Sequence, residues 1–143
     1  MSAATNEPAP KPAAEPKKKV LMLEDDDWLA DVLKGYLETH DFEVVRVSNG
    51  VEGLKQVMTG DFDLILCDML MPTLPGDMFY MAVERTKPKL CKRFVFMTGH
   101  KGNPKLDSFV RRIGGVMIFK PFEMHVLMET IQAVIKKAVA SGA

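Results

Sequence analysis

Asp61-Phe62-Asp63-Leu64-Ile65-Leu66-Cys67-Asp68-Met69-Leu70-Met71-Pro72 contains an apolar run that stops at a carboxylate and becomes a proline-marked loop. A charge is costly inside a sheet, so a strand that ends on Asp68 is expected to deliver it to the surface. Three other strand-like runs also stop at polar groups. Val20–Leu23 meets Glu24-Asp25-Asp26-Asp27, Phe94–Met97 meets Thr98, and Val116–Phe119 meets Lys120-Pro121. With Phe42–Val47 and Asp63–Cys67 these make five strands.

Between the runs the apolar spacing turns helical. Leu29, Val32, Leu33, Tyr36 and Leu37 form one stripe, and Leu106, Phe109, Val110 and Ile113 another. Leu127, Ile131, Val134, Ile135 and Ala138 form a third near the C-terminus. Ser48-Asn49-Gly50 opens a helix expected to turn Val51, Leu54 and Met58 inward, and Gly76 to about Lys87 supplies one more. Asn103 before Pro104 is an N-cap and first-turn pair. The chain is therefore α/β, a (βα)5 repeat of strand and helix. The first, third and fourth strands are almost continuously apolar, as burial on both faces requires. Right-handed crossovers then give a doubly wound, five-stranded parallel sheet between two helical layers. In such a sheet the strand carboxyl ends share one edge, where ligands bind.

The 143 residues suit one domain with a substantial core, with 47% hydrophobic and 27% charged residues. Nineteen basic and nineteen acidic side chains balance, so bulk charge gives no support for nucleic-acid binding. No apolar run approaches the ~20 residues of a membrane helix, and no signal-peptide core is visible. Two cysteines cannot form a disulfide framework; Cys67 reads as core filling and Cys91 as a loop thiol in a reducing cytoplasm. Most of the 11 methionines fall at core-type positions. Residues 1–18, rich in Pro, Ala and Lys, are expected to be a disordered tail, and 19–140 the domain. Lys17, Lys18 and Lys19 read as a solvated strand entry.

The acids Glu24 to Asp27 need explaining. One of Asp26 and Asp27 is expected to cap the following helix. Capping does not account for acids starting at the strand's last residue, where like charges repel. Packed carboxylates are normally held by a cation, and oxygen ligands with water suit Mg2+. The first and third strands are neighbours in doubly wound order, which should bring Asp68 to face Asp25. A carboxylate beside Mg2+ is both a ligand and a potential nucleophile towards a phosphoryl group. Lys120 would add a positive point charge, and Thr98 a hydroxyl donor.

Val20-Leu-Met-Leu-Glu-Asp-Asp26, Asp63-Leu-Ile-Leu-Cys-Asp-Met-Leu-Met-Pro-Thr-Leu-Pro-Gly76, Phe94-Val-Phe-Met-Thr-Gly99 and Phe119-Lys-Pro-Phe122 occur in order and suitably spaced. With these motifs the chain resembles the chemotaxis-regulator-like receiver domain of two-component response regulators over residues 19–140. The resemblance implies the flavodoxin-like receiver fold. It implies that Asp68 accepts a phosphoryl group from a histidine kinase, a phosphotransfer protein or a small phosphodonor. Asp25 and Asp68 would bind Mg2+ directly, Glu24 through water, and Leu70 through its backbone carbonyl. Thr98 matches the switch hydroxyl, Lys120 the phosphate-pairing lysine, and the Lys120-Pro121 bond one that is cis in the family. Phosphorylation would reshape the surface of the fourth helix, fifth strand and fifth helix for a protein target or a second copy.

Three positions depart from the family pattern or tune it. Receivers often carry an aromatic switch residue where this chain has Met117, whose flexibility lets it fill an inward or an outward pocket. Leu70, two residues after Asp68, offers no hydrogen bond to an attacking water. His100, two after Thr98, would order that water or stand in solvent. His40 and His125 read as surface residues, which argues against a zinc site. Too few residues follow Ala140 for an output domain, so a stand-alone receiver or one from a longer hybrid protein is expected. Two other functions compete. A phosphatase with an aspartyl-phosphate intermediate, like the haloacid-dehalogenase family, would need a second acid two residues after Asp68, where Leu70 stands. Asp61 and Asp63 precede the strand. A scaffold that is never phosphorylated would not need every site residue to be present.

Overall fold

A computed structural model of the protein describes residues 16–143, and residues 1–15, most of the expected tail, lie outside the described residues. Five strands form one parallel sheet in the order β2-β1-β3-β4-β5. They are β1 (Lys18–Leu23), β2 (Phe42–Val47), β3 (Leu64–Asp68), β4 (Phe94–Thr98) and β5 (Met117–Phe119). The helices are α1 (Asp27–Thr39), α2 (Gly50–Thr59), α3 (Gly76–Thr86), α4 (Pro104–Ile113) and α5 (Met124–Ala140). A 3-10 helix over Pro88–Arg93, which the apolar spacing did not signal, leads into β4.

The sheet separates two cores, and strand alternation decides which residue enters which. Leu21, Leu23, Ile65, Cys67 and Phe96 pack with α2, α3 and α4. Val20, Met22, Leu64, Leu66 and Met97 pack with α1 and α5. β3 and β4 are buried throughout, as their unbroken apolar runs require. Helix starts follow the expected capping chemistry. Asp26 accepts from the Leu29 amide at 3.0 Å, Asn49 from Glu52 at 2.9 Å, and Asn103 from Lys105 and Leu106 at 3.0 and 3.3 Å. α4 ends at Gly114, whose φ of 64° is left-handed backbone that glycine enters without strain.

The structure corrects several expectations. β1 starts at Lys18, inside the range assigned to the tail. β3 runs one residue later than expected: Asp63 uses its carboxylate to accept the Lys19 amide at 2.8 Å, while Asp68 stays in register with Met97. β5 starts at Met117, one residue after the expected Val116. In α2, Val51 and Met58 face solvent, and Gly50, Gly53 and Val57 are the buried positions. A Cβ on Gly53 would lie 2.5 Å from Leu23 Cδ2, and one on Gly50 2.3 Å from the Leu74 carbonyl oxygen. This helix meets the sheet and the β3–α3 loop through bare backbone, which an apolar pattern does not register. Met22, Met69, Met71, Met97 and Met128 fill core as expected, whereas α2 and α3 turn Met58, Met78 and Met81 outward.

One close approach supports the end of β3. The Gly76 amide donates to the Met69 carbonyl at 3.2 Å, and a Cβ there would lie 2.9 Å from Met69 Cα and 3.0 Å from the Asp68 carbonyl oxygen. Gly76→Ala should therefore cost about 1–3 kcal/mol in urea denaturation. Gly99→Ala, where a Cβ would meet nothing within 4 Å, should stay within about 0.5 kcal/mol. Equal stability of the two variants would contradict the close approach.

Candidate functional site

Strand alternation and register assemble the site. Residues of the α1/α5 face alternate along β1 as Val20, Met22 and then Glu24; along β3 as Leu64, Leu66 and then Asp68; along β5 as Ile118 and then Lys120. All three polar residues thus emerge on one side of the sheet at its carboxyl edge. The Lys120 ammonium donates to Glu24 Oε1 at 2.7 Å and to Asp68 Oδ2 at 2.8 Å. The other oxygens are also occupied: the Asp26 amide donates to Glu24 Oε2 at 3.1 Å, and the Leu70 amide to Asp68 Oδ1 at 3.0 Å.

Burial is deeper than a surface-delivered carboxylate implies. Glu24 is fully buried and Asp68 only 5% exposed, so the expectation that β3 delivers Asp68 to the surface is corrected. The carboxylate is tolerated because Lys120 is close enough to compensate it. Burial pushes the Glu24 carboxyl above its ordinary range, outweighing the lowering effect of its hydrogen bond from Lys120. Burial alone would lower the Lys120 pKa, but its hydrogen bonds to Asp68 and Glu24 more than reverse this, and the ammonium is stabilised.

Carboxylate oxygens of Glu24, Asp25 and Asp68 lie within 4.8 Å of one another, with Asp25 exposed. The set is all hard oxygen, and an ammonium already bridges two of its members, so a small divalent cation fits the chemistry. Asp25 faces Asp68 as the strand order required. Thr98, buried at 1% exposure, accepts from the His100 amide at 3.1 Å through its hydroxyl. The His100 side chain stands in solvent, as do His40 and His125, and Leu70 is 45% exposed. Met117 is half-buried against the core beneath α4. The Lys120-Pro121 bond is cis. Cys67 is buried and Cys91 half-buried in the 3-10 helix, with burial pushing both thiols up.

Two contributors escaped the sequence reading. Arg46 Nε donates to the Glu24 carbonyl at 2.9 Å and its guanidinium pairs with Asp27 at 2.9 Å, while the Glu24 amide donates to the Val47 carbonyl at 3.1 Å. β2 thereby holds the acidic turn by both backbone groups of Glu24. A cation near the carboxyl end of β2, after Val44 and Val45, was the available signal. Trp28, the sole tryptophan, is 73% exposed in the first turn of α1 beside Lys120, Pro121 and Phe122. Asp61 and Asp63 lie before β3 at the opposite edge, where Asp63 caps backbone and Asp61 pairs with Lys87 at 3.7 Å.

Lys120→Met removes the cation that bridges two buried carboxylates, and metal-free stability should fall by about 2–4 kcal/mol in urea denaturation. Added Mg2+ should recover part of that loss; an unchanged midpoint would contradict the ion triangle. A raised Glu24 pKa means that the folded state holds this proton more tightly than the unfolded state. Its contribution to stability is therefore full at acid pH and lost as pH rises through the raised value. Cation binding offsets that loss, so the gain in Tm on adding Mg2+ should be larger at about pH 7 than at about pH 5. An equal gain at both would contradict a role for Glu24 ionisation.

Comparison with known proteins bears on this geometry. Residues 20–132 match the family model described as response regulator receiver domain. The transcriptional regulatory protein SrrA of Staphylococcus aureus (strain NCTC 8325 / PS 47) is 34% identical over 119 residues, covering 83% of this chain and 48% of SrrA. The chain spans about half the length of the first curated relatives it matches. A CheY-like receiver domain protein from Methanospirillum hungatei JF-1 superposes with a TM-score of 0.81 at 24% identity, covering 87% of this chain and 98% of that one, a likeness of fold. The receiver domain of sensor histidine kinase PA1611 from Pseudomonas aeruginosa PAO1, described with a magnesium ion coordinated in its active-site cleft, has a TM-score of 0.74 at 19% identity. It covers 84% of this chain and 98% of that one. The chain belongs to the response regulator receiver domain family.

Proposed function

We propose that Asp68 is the phosphoacceptor of this receiver, charged by a histidine kinase or phosphotransfer protein. The observation that carries the reading is the shared ammonium: Lys120 holds Asp68 and Glu24 together with Asp25 alongside. Asp68 attacks the phosphorus in line; a new Asp68 oxygen–phosphorus bond forms as the donor's nitrogen–phosphorus bond breaks, and the leaving imidazole takes up a proton. Asp25 and Asp68, with the Leu70 carbonyl and with Glu24 through water, would hold Mg2+, which neutralises phosphoryl oxygens when bound. Lys120 then turns from the carboxylate to the phosphoryl oxygens, supplying a fixed charge in a partly dry site. Thr98 donates its hydroxyl proton to the same group. Leu70 and His100 flank the acyl phosphate and tune its lifetime.

The protein acts as a stoichiometric switch in the cytoplasm and not as a turnover enzyme. Leu70 occupies the place where a phosphatase needs its general acid. No helix among the described residues is long and apolar enough to cross a membrane. Residues 18–140 form the switching domain, and its output is a protein surface around α4, β5 and α5, used for a target or a second copy.

Incubation with Mg2+ and acetyl phosphate should add one phosphoryl group by intact-mass spectrometry, and Asp68→Asn should abolish it. Undiminished labelling of Asp68→Asn would move the acceptor elsewhere, and multiple turnover on a phosphomonoester would overturn the switch reading. Asp25→Ala should lose the Mg2+ dependence yet melt no lower than wild type without metal, because one crowded carboxylate is gone. A lower metal-free Tm would contradict crowding.

A further inference from the structure

A buried hydroxyl that senses a phosphoryl group needs a route to the surface, and Met117 supplies no aromatic one. Strand alternation shows where a second route lies. On β4, Phe96 packs on the α4 side and Met97 on the other, so Thr98 returns to the α4 side. On β5, Met117 packs on the α4 side and Ile118 on the other, so Phe119 shares the side of Thr98. The two residues are in register, and the Lys120 amide donates to the Thr98 carbonyl at 2.8 Å. Phe119 is 37% exposed, and the Lys101 ammonium stands 5.8 Å from its ring centroid. Lys101 belongs to the loop from Thr98 to α4, whose His100 amide is bonded to the Thr98 hydroxyl. One hydroxyl therefore holds the loop, and that loop's lysine covers the ring.

We propose that Phe119, capped by Lys101, is the residue through which this receiver reports phosphorylation, in place of Met117. The proposal rests on Asp68 being the phosphoacceptor. The Thr98 hydroxyl accepts from the His100 amide through a lone pair and keeps its one proton to give. Donating it to a phosphoryl group on Asp68 draws the side chain towards β3, and the His100 amide either follows or is released. Both outcomes shift Lys101, the next residue, while backbone pairing with β4 holds Phe119 in place. A cation over a half-exposed ring is a weaker contact than a charge-assisted hydrogen bond to a phosphoryl oxygen, so the second drives the loss of the first. The ring is uncovered when Asp68 is phosphorylated and covered when it is not.

The test uses protein labelled with 4-fluorophenylalanine, with the Phe119 fluorine resonance assigned by its absence in Phe119→Leu. Intact-mass spectrometry follows the adduct on the same samples, so failure to phosphorylate is distinguished from failure to report. Lys101→Ala alone should move the Phe119 resonance in the direction that acetyl phosphate with Mg2+ moves it in wild type. In Lys101→Ala the further phosphorylation shift should be less than half the wild-type shift. Met117→Leu should keep the full response, and phosphorylated Thr98→Ala should lose it while Thr98→Ser retains it. A wild-type adduct with a stationary Phe119 resonance would overturn the proposal. So would an unmoved resonance in Lys101→Ala, or a full response in Thr98→Ala. Absence of any wild-type adduct would overturn the phosphoacceptor reading and this proposal with it.

Discussion

The ammonium of Lys120, shared at 2.7 and 2.8 Å between Glu24 and Asp68, is the interaction on which the rest of the site depends. Two carboxylates removed from water repel each other and each loses hydration, a combination a fold tolerates only when a cation and hydrogen-bond donors compensate it. Here every oxygen of both groups has a donor: the lysine twice, the Asp26 amide and the Leu70 amide. The arrangement links residues 96 positions apart in sequence, so it exists only when the whole sheet is formed. It also leaves Asp68 in an environment where an incoming anion would meet a positive charge already in place.

The sheet does the positioning. Parallel order β2-β1-β3-β4-β5 makes β1 and β3 neighbours, and alternation puts Glu24, Asp68 and Lys120 on the α1/α5 side. Thr98 and Phe119, in register, follow Phe96 and Met117 by two residues along β4 and β5. The charged groups and Thr98 thus meet at the carboxyl ends of neighbouring strands, where β4 and β5 carry Thr98 and Phe119 in register. Arg46 secures the acidic turn from β2, and Gly76 lets the β3–α3 loop close behind Asp68.

How far this was legible in the chain differs by residue. Long apolar runs ending in Asp68, Thr98 and Lys120 announced the strands and the shared edge, because burial on both faces leaves few polar positions inside a run. Capping side chains Asp26, Asn49 and Asn103 marked helix starts because they bond to the orphan amides there. The inward face of α2 was misread, since Gly50 and Gly53 pack by backbone proximity and carry no hydrophobic signal. The depth of Asp68 was misread because its compensation lies in Lys120, 52 residues away. Phe119 and Lys101 escaped because a ring and a cation from separate elements meet only in three dimensions.

Chemical reduction of the phosphorylated protein tests the central claim most directly. Borohydride converts an aspartyl phosphate to homoserine, and peptide sequencing by mass spectrometry then reads its position. Homoserine should occur at residue 68 and require both phosphodonor and Mg2+. Homoserine at Asp25 or another acid, or a phosphoryl group that resists reduction, would contradict the assignment of Asp68.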